Sequence, residues 1–289
     1  MQTTISQNLA LFKETKKIRF ILRAAMQVIK EKRILELSYG AYCVLLHQPS
    51  KVVSAPEKLL QAIIEDFVSQ YSYCFFYNRE DLIAKFGAHF AVESLPKDFT
   101  LTRSESVTQC NGLLIVGEYA ENSARIALIT KTDCVISNYY QQIRGVRHIH
   151  AVHYCETSGN VFISTGDTAK LLDQWKIKER ELVFVKRLKK RMAGFTAISK
   201  AKNDYFFGTD LSSRPNYIES SDGNKYFFPV DAYYKHCLTF YPVLGHYIAT
   251  INTSMDEFGK HKILSIFDTD KREFIFCDSL ENIIEPYKH

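Results

Sequence analysis

The chain has 289 residues, 46% of them hydrophobic, so it can bury a substantial core in one large domain or two small ones. Its formal charge of +5, from 37 basic and 32 acidic residues, is mild and does not by itself call for nucleic acid, which is not expected as a partner. Aromatic residues make up 13% of the chain, which favours β-structure.

The cysteines and the apolar segments predict a reduced, cytoplasmic protein. The seven cysteines are odd in number and include no C-x-x-C pair, which argues against a disulfide framework and against a cysteine-based zinc site. The amino-terminal stretch lacks the continuous apolar core of a secretory signal. No later window approaches the roughly 18 apolar residues of a membrane span.

Residues 1–37 are predicted to be a basic amphipathic helical segment. From residue 6 onwards, apolar residues recur at helical spacing with lysines and arginines between them. Two interpretations remain open for this helix. It packs on its own domain, or it anchors the protein peripherally to an acidic surface, such as the inner membrane, or to a protein partner.

A second helix is predicted near residues 54–70. Ser54 is a candidate N-cap, Pro56 suits the first turn, and Glu57 completes a Ser-x-x-Glu capping box. Short strand-like runs flank this helix at residues 42–47 and 71–77. Taken alone, this part of the chain resembles an α/β unit.

Short apolar runs then return at a nearly constant interval, which predicts a repeat. LLIVGE begins at Leu113, VFISTGD at Val161, YFFGTD at Tyr205 and YIATIN at Tyr247, at intervals of 48, 44 and 42 residues. CFFYN begins 39 residues before the first of them, at Cys74. Repeats of this length built from short strands are typical of a β-propeller.

The predicted fold is therefore mainly β, a small β-propeller of about five blades over residues 38–289, with a helical insertion near 54–70. The runs KILSIFDTD and EFIFCDS, within residues 262–279, are predicted to form its last hairpin. The alternative is an irregular β-sandwich in which the spacing is coincidental.

Three segments carry a family resemblance: GEYAENSARIALITKTD (117–133), RHIHAVHYCETSGNVFISTGD (147–167) and RMAGFTAISKAKNDYFFGTDLSSRPNYI (191–218). In order and spacing they are similar to bacterial sialidase-like β-propellers of the Asp-box, or BNR-repeat, type. The chain resembles a degenerate member. Thr132 and Asp133 keep the acidic part of one box, Cys134 and Val135 replace its expected glycines, and the next box, around LLDQWKIKER, is lost.

The resemblance implies a carbohydrate-active or carbohydrate-binding protein, possessing a sialidase-like fold and a role in surface-polysaccharide metabolism. It implies an acidic or phosphorylated saccharide as the ligand. A non-catalytic propeller that scaffolds a partner protein or a membrane-associated assembly is the alternative. No cofactor is expected, and no nucleotide-binding, H-E-x-x-H or G-x-S-x-G motif is present.

Carboxylates recur at equivalent points of the repeat. Glu118, Asp167 and Asp210 each follow an apolar run, so a propeller is expected to gather them at one end of its axis. Carboxylates close together divide acid and base roles, as glycoside chemistry requires, and Glu118 and Asp167 are the acid/base candidates. The other interpretation is that they cap turns or pair with nearby arginines.

Histidines and arginines complete the predicted site. His148 and His150 are two residues apart, so on a regular strand they face the same side, whereas His153 faces the other side unless a bulge intervenes. His150 is assigned a catalytic role and His148 a ligand contact, with metal binding as the less favoured reading.

Arg125, Arg147 and Arg191 stand near the start of different repeats and are predicted to clamp the ligand's negative charge, together with Asp210 as a further ligand contact. The basic run FVKRLKKRMAG (184–194) is either a solvated strand or a patch for phosphates or acidic lipids.

Overall fold

The computed structural model describes residues 48–71, 78–101, 104–137, 140, 143, 145–166, 169–189, 194–211, 214–253 and 261–287. The predicted helix within residues 1–37 and the strand-like run 42–47 lie outside these residues. The chain divides into two compact units, which we describe separately. The first unit comprises residues 1–69, 210–238 and 242–289, and the second unit comprises residues 70–209 and 239–241.

The described part of the chain contains three α-helices and three short 3₁₀ turns. The helices are α1 (Glu57–Gln70), α2 (Arg79–Phe86) and α3 (Leu280–Ile284). The 3₁₀ turns are Val92–Ser94, Ser104–Ser106 and Glu285–Tyr287. No helix among the described residues has the length and apolar character needed to cross a membrane.

Helix α1 confirms the predicted helix but begins two residues after the position that a Ser54 cap implies. The carbonyl of Pro56 accepts a hydrogen bond from the amide of Leu60 (3.0 Å), so Pro56 takes the N-cap position. Ile63 and Phe67 are fully buried, as expected for the inner face of an amphipathic helix.

Helix α2 starts with a complete capping box that lies in the second unit. The amide of Asp81 donates to Oδ1 of Asn78 (2.9 Å), and the amide of Asn78 donates to Oδ2 of Asp81 (3.3 Å). Two otherwise unpaired amides are thereby satisfied, which sets the point at which the helix begins.

Among the described residues, sixteen strands form four four-stranded sheets, each built from consecutive strands. The first sheet contains β1 (Val107–Cys110), β2 (Leu113–Gly117), β3 (Ile126–Ile129) and β4 (Cys134–Ser137). The second contains β5 (His148–Cys155), β6 (Asn160–Gly166), β7 (Leu172–Lys178) and β8 (Glu181–Lys189). The third contains β9 (Phe195–Ala201), β10 (Asp204–Thr209), β11 (Tyr217–Ser220) and β12 (Lys225–Phe227). The fourth contains β13 (His236–Val243), β14 (Tyr247–Thr253), β15 (Ile263–Asp268) and β16 (Glu273–Ser279).

This is the strand arrangement of a four-bladed β-propeller, so the prediction of a propeller is confirmed and the prediction of about five blades is wrong. Four of the five apolar runs are the second strands of the four sheets, namely β2, β6, β10 and β14. The fifth run, CFFYN, lies almost wholly outside the described residues and was counted as a blade on its spacing alone. The predicted last hairpin is the pair β15 and β16.

In the second unit, neighbouring sheets pack face to face. Ile115 and Ile126 of the first sheet share one core with Ile163 and Trp175 of the second. Residues of opposite parity on the second sheet, such as Phe162, pack instead against β9 and β10. Strand β6 is therefore buried on both faces, which explains its apolar run.

Aspartates hold the turn between the third and fourth strands in three of the four sheets. The hydroxyl of Thr130 donates to the carboxylate of Asp133, whose amide donates back to that hydroxyl (3.0 Å). Oδ1 of Asp222 accepts from the amide of Asn224 (3.1 Å), and Oδ1 of Asp268 accepts from the amide of Asp270 (2.9 Å). The second sheet, where the sequence lacks the box, turns through two residues with positive φ, Glu179 and Arg180.

Candidate functional site

Glu118 and Arg125 form a buried ion pair at the base of the loop between β2 and β3. Glu118 is 2% exposed, and its two carboxylate oxygens accept hydrogen bonds from Nη2 (2.6 Å) and Nε (2.9 Å) of Arg125. The backbone amide of Arg125 donates to the same carboxylate (2.8 Å). The guanidinium also contacts Asp98 and lies over the ring of Phe99.

This pairing defines what the two side chains do in the structure. The hydrogen bonds to Glu118 raise the pKa of Arg125, so the guanidinium stays charged throughout the physiological range. Three donors on one carboxylate leave little of Glu118 to exchange a proton with a ligand. The geometry favours the pairing interpretation of Glu118 and gives Arg125 a structural partner in place of a ligand.

The histidines of β5 lie against a bulge. Ile149 pairs with Thr165 and Ala151 with Ser164, so His150 is an extra residue in the strand. The rings of His148 and His150 are nearly parallel, 6.4 Å apart, and both side chains are buried. His150 packs on the backbone of Gly166, where an added Cβ would lie only 1.8 Å from the ring.

The bulge also reverses the expected direction of His153. Beyond the bulge, Ala151 and Cys155 belong to the core shared with the third sheet, whereas Ile149 and Val152 belong to the core shared with the first sheet. His153 alternates with Val152 and therefore lies on the same side as Ala151. The sequence predicts this direction of the His153 side chain only if a bulge is present, and the sequence does not show where a bulge lies.

Tyr119 lies flat against His148. The two ring centroids are 3.5 Å apart and the ring planes differ by 8°. The amide of Tyr119 donates to the carbonyl of Thr100 (3.0 Å), and the Thr100 hydroxyl donates to the carbonyl of Tyr119. Tyr119 is 37% exposed, so it presents a rigid aromatic surface to solvent.

A groove of about 1120 Å³ in the second unit is lined by Tyr119, His148 and Arg147. The Nε of Arg147 donates to the carbonyl of Glu121 (2.6 Å), which orients its guanidinium. The first turn of α2 and the segment from Glu93 to Leu101 form the remaining wall. Two of the predicted ligand contacts, the sequence neighbours Arg147 and His148, thus both line this groove.

The groove carries charges of both signs. Its basic residues are Arg79, Lys97 and Arg147, and its acidic residues are Glu80, Glu93 and Glu121. Arg79 donates to the carbonyls of Leu95 (3.1 Å) and Glu93 and so braces the wall. In the described part of the chain, no carboxylate lies within 4 Å of Arg147 or Lys97.

The other predicted site residues are not seen in this groove. Asp210 is in the first unit, where its carboxylate pairs with Nδ1 of His236. Asp167 and Arg191 lie outside the described residues, so their assignments stay predictions. Within the described ranges, no cluster of three or more His, Cys, Asp or Glu side chains could hold a metal ion.

A buried polar triad that the sequence does not indicate joins β7 and β8 of the second sheet to Tyr140. Asp173, fully buried, accepts hydrogen bonds from Nε (2.7 Å) and Nη2 (2.9 Å) of Arg187 and from the hydroxyl of Tyr140 (2.9 Å). Burial, and secondarily the charge of Asp173, raises the pKa of Tyr140. Arg187 belongs to the basic run 184–194. Because its guanidinium pairs with the buried Asp173, this charge of the run stabilises the fold and is not available to bind a phosphate.

Tyr119, Lys97 and the acidic groove residues were also missed. Tyr119 directly follows Glu118 in the sequence, and an aromatic residue beside a turn was the available signal. Lys97 and Glu93 lie in a segment without periodicity, so nothing in the sequence indicated that they face the β2–β3 loop.

Comparison with known proteins gives no family. No protein-family model matches the chain, and no curated protein matches it. Among solved structures, the chain is similar to the computationally designed Ika4 protein, at 10% identity and a TM-score of 0.36, over 57% of this chain and 89% of that one. It is also similar to the designed Ika8 protein, at 8% identity and a TM-score of 0.32, over 61% and 62% of the two chains. Likenesses this distant carry no indication of function.

Proposed function

We propose that the groove lined by Tyr119, Arg147 and His148 binds an acidic or phosphorylated saccharide, and that it does so without cleaving the sugar chain. The observation that carries the proposal is the placement of an oriented guanidinium beside a rigid, exposed aromatic ring in one groove. A guanidinium suits a carboxylate or phosphate, and an aromatic face suits the apolar face of a sugar ring.

The stacking of Tyr119 on His148 favours a ligand with a flat apolar face. One side of the Tyr119 ring is covered by His148, so a sugar would contact the opposite side. Because the Tyr119 ring is stacked on the buried His148 and the Tyr119 backbone is held by Thr100, binding would cost little side-chain entropy.

The charges of the groove suit a sugar that carries both an anion and hydroxyl groups. Arg147 and Lys97 would receive the anionic group, since no described carboxylate neutralises them within 4 Å. Glu93 and Glu121 would accept hydrogen bonds from sugar hydroxyls. A volume of about 1120 Å³ exceeds what one sugar residue needs and suits a short oligosaccharide.

The binding role is favoured over cleavage because the described acid/base candidates are committed elsewhere. Glu118 is bound to Arg125, and His150 is packed between His148 and Gly166. Neither Glu118 nor His150 lines the groove. The catalytic role of Asp167 stays a prediction.

The test is a binding panel followed by calorimetry. The ligands are a galacturonate trisaccharide, 3′-sialyllactose, mannose 6-phosphate and, as the neutral reference, lactose. We expect at least one acidic ligand to bind and lactose to bind much more weakly, with no release of reducing sugar. Arg147→Met should weaken binding by about tenfold or more, since a hydrogen bond to a charged group contributes about 1.5–3 kcal/mol.

The matched control is Arg180→Met. Arg180 is an exposed arginine of the same unit that pairs with Asp133 at a turn and does not line the groove. Its replacement should leave the affinity unchanged. Equal losses for both variants, or equal affinity for the neutral and acidic ligands, would contradict the proposal.

A further inference from the structure

The second unit contains another cavity, of about 230 Å³, to which the first strand of every sheet contributes. Its walls come from β1, β5, β9 and the central residues of β13, which include Thr108, His153, Ala197 and Tyr241. The first strands of successive propeller blades surround the axis, so this cavity is axial in position. None of its lining residues also lines the groove described above.

The cavity wall is polar at defined points. The lining residues include Thr108, Thr239 and Tyr241, which carry hydroxyl groups, and Lys85 and Glu105, which carry one charge of each sign. A water molecule occupies about 30 Å³ in the liquid, so the cavity has room for several waters or for one small organic molecule.

His153 is the most informative residue of this wall. It lines the cavity, and the bulge at His150 places it on the same side of the strand as Ala151, another lining residue. No described residue forms a hydrogen bond to its ring. Burial, and secondarily the positive charge of Lys200, lowers the pKa of His153 to about 4, so the imidazole is neutral near pH 7 and offers one donor and one acceptor.

The described charges considered at and next to the cavity sum to one positive charge. Lys85 and Glu105 offset each other at the wall, and Lys200 adds a positive charge close enough to act on His153. The ammonium of Lys200 donates to the hydroxyl of Thr157, which holds it in place. A ligand with one negative charge would therefore be favoured over a neutral one of the same shape.

We propose that this axial cavity binds a small hydroxylated carboxylate. His153 and Thr108 form hydrogen bonds to this ligand, and the positive charge of Lys200 favours its carboxylate. The site is separate from the saccharide groove and does not depend on the function proposed for that groove. The ligand is a single small acid, because the cavity is about a fifth of the groove's volume.

The test uses gluconate as the probe and sorbitol as its matched reference, since sorbitol has the same chain of hydroxyl groups without the carboxylate. In the whole protein, the imidazole carbon–proton resonances of His153 are followed by NMR during each titration. We expect saturable shifts with gluconate and at least fivefold weaker binding of sorbitol. Unshifted His153 resonances, equal affinity for sorbitol, or tighter binding of the zwitterion serine would overturn the proposal.

Variants locate the site and separate it from the groove. His153→Phe and Thr108→Val conserve volume, and each should weaken gluconate binding by fivefold or more, while the exposed His89→Gln should have no effect. Arg147→Met should leave gluconate binding unchanged. If gluconate binding were lost in Arg147→Met and kept in His153→Phe, the ligand would lie in the groove and the axial proposal would be wrong. Should His153→Phe fail to fold, the titration of the native ring decides the question alone.

Discussion

The ring of His150 packs so close to Gly166 that a side chain at position 166 would clash with it. Replacing Gly166 therefore tests the geometry of the bulged strand. A Cβ added at Gly166 would lie 1.8 Å from Cε1, 2.0 Å from Nε2 and 2.4 Å from Nδ1 of that ring. Ordinary carbon–carbon contact is near 3.5 Å, so the ring would have to move by more than about 1.5 Å. His150 is only 4% exposed, so the ring is enclosed by other parts of the protein.

We expect Gly166→Ala to lower the free energy of unfolding by about 3 kcal/mol, the upper part of the range for overpacking a core. His150→Ala should cost about 2 kcal/mol through lost packing. The double variant should be more stable than the sum of the two effects predicts, by at least about 1.5 kcal/mol, because removing the ring removes the clash.

The assay is urea denaturation followed by the fluorescence of Trp175, the sole tryptophan of the chain, which is buried in the same sheet as His150. Gly159→Ala is the control, because Gly159 has a φ of +64° and its added Cβ would meet nothing within 4 Å. It should cost about 1 kcal/mol, from backbone strain alone, with no rescue by His150→Ala. Strictly additive effects of Gly166→Ala and His150→Ala would refute the contact.

Three further predictions concern buried polar groups. Glu118→Gln should destabilise the protein by about 3 kcal/mol in denaturation experiments, because it removes the buried partner of Arg125 and leaves only the exposed Asp98 beside its charge; a loss below about 1 kcal/mol would contradict the pairing. As the pH falls from 6.5 to 4, His153 binds a proton in the unfolded chain but stays largely neutral in the folded protein, where its pKa is lowered to about 4. Stability should therefore fall by about 3 kcal/mol over that window and stay level above it, and His153→Phe should lose this part of the dependence. Tyr140→Phe should cost about 1.5–3 kcal/mol by removing a hydrogen bond to the buried Asp173, and a neutral effect would show that this bond is not formed.

The propeller was predictable from the sequence because burial of one strand in every sheet leaves an apolar run that recurs at a regular interval. The second strand of each sheet is buried on both faces, so Leu113–Gly117 and Tyr247–Thr253 carry apolar runs that recur once per blade. The blade count was less predictable, because spacing alone does not distinguish a strand of a blade from another apolar run such as the one at Cys74.

The site was predictable only in part, because its geometry depends on strand register. The bulge at His150 decides which way His153 faces, and a bulge leaves no mark in the composition of the strand. The partner of Glu118 is seven residues away across a loop, and only the pairing of β2 with β3 brings Arg125 to it. Arg147 and His148 were identified from the repeat, whereas Tyr119 and Lys97 required the folded groove.

Contact between a sugar and the Tyr119 ring is the central claim of the proposed function. The experiment uses protein in which Tyr119 is the labelled tyrosine, so that its ring protons can be irradiated selectively. In the presence of a galacturonate trisaccharide, magnetisation transfer from those protons to the sugar measures the contact directly. We expect transfer to the sugar's carbon-bound protons, reduced at the same ligand concentration when Arg147→Met weakens binding and retained in Arg180→Met. Binding of the trisaccharide without any transfer from Tyr119, or transfer that persists unchanged in Arg147→Met, would contradict it.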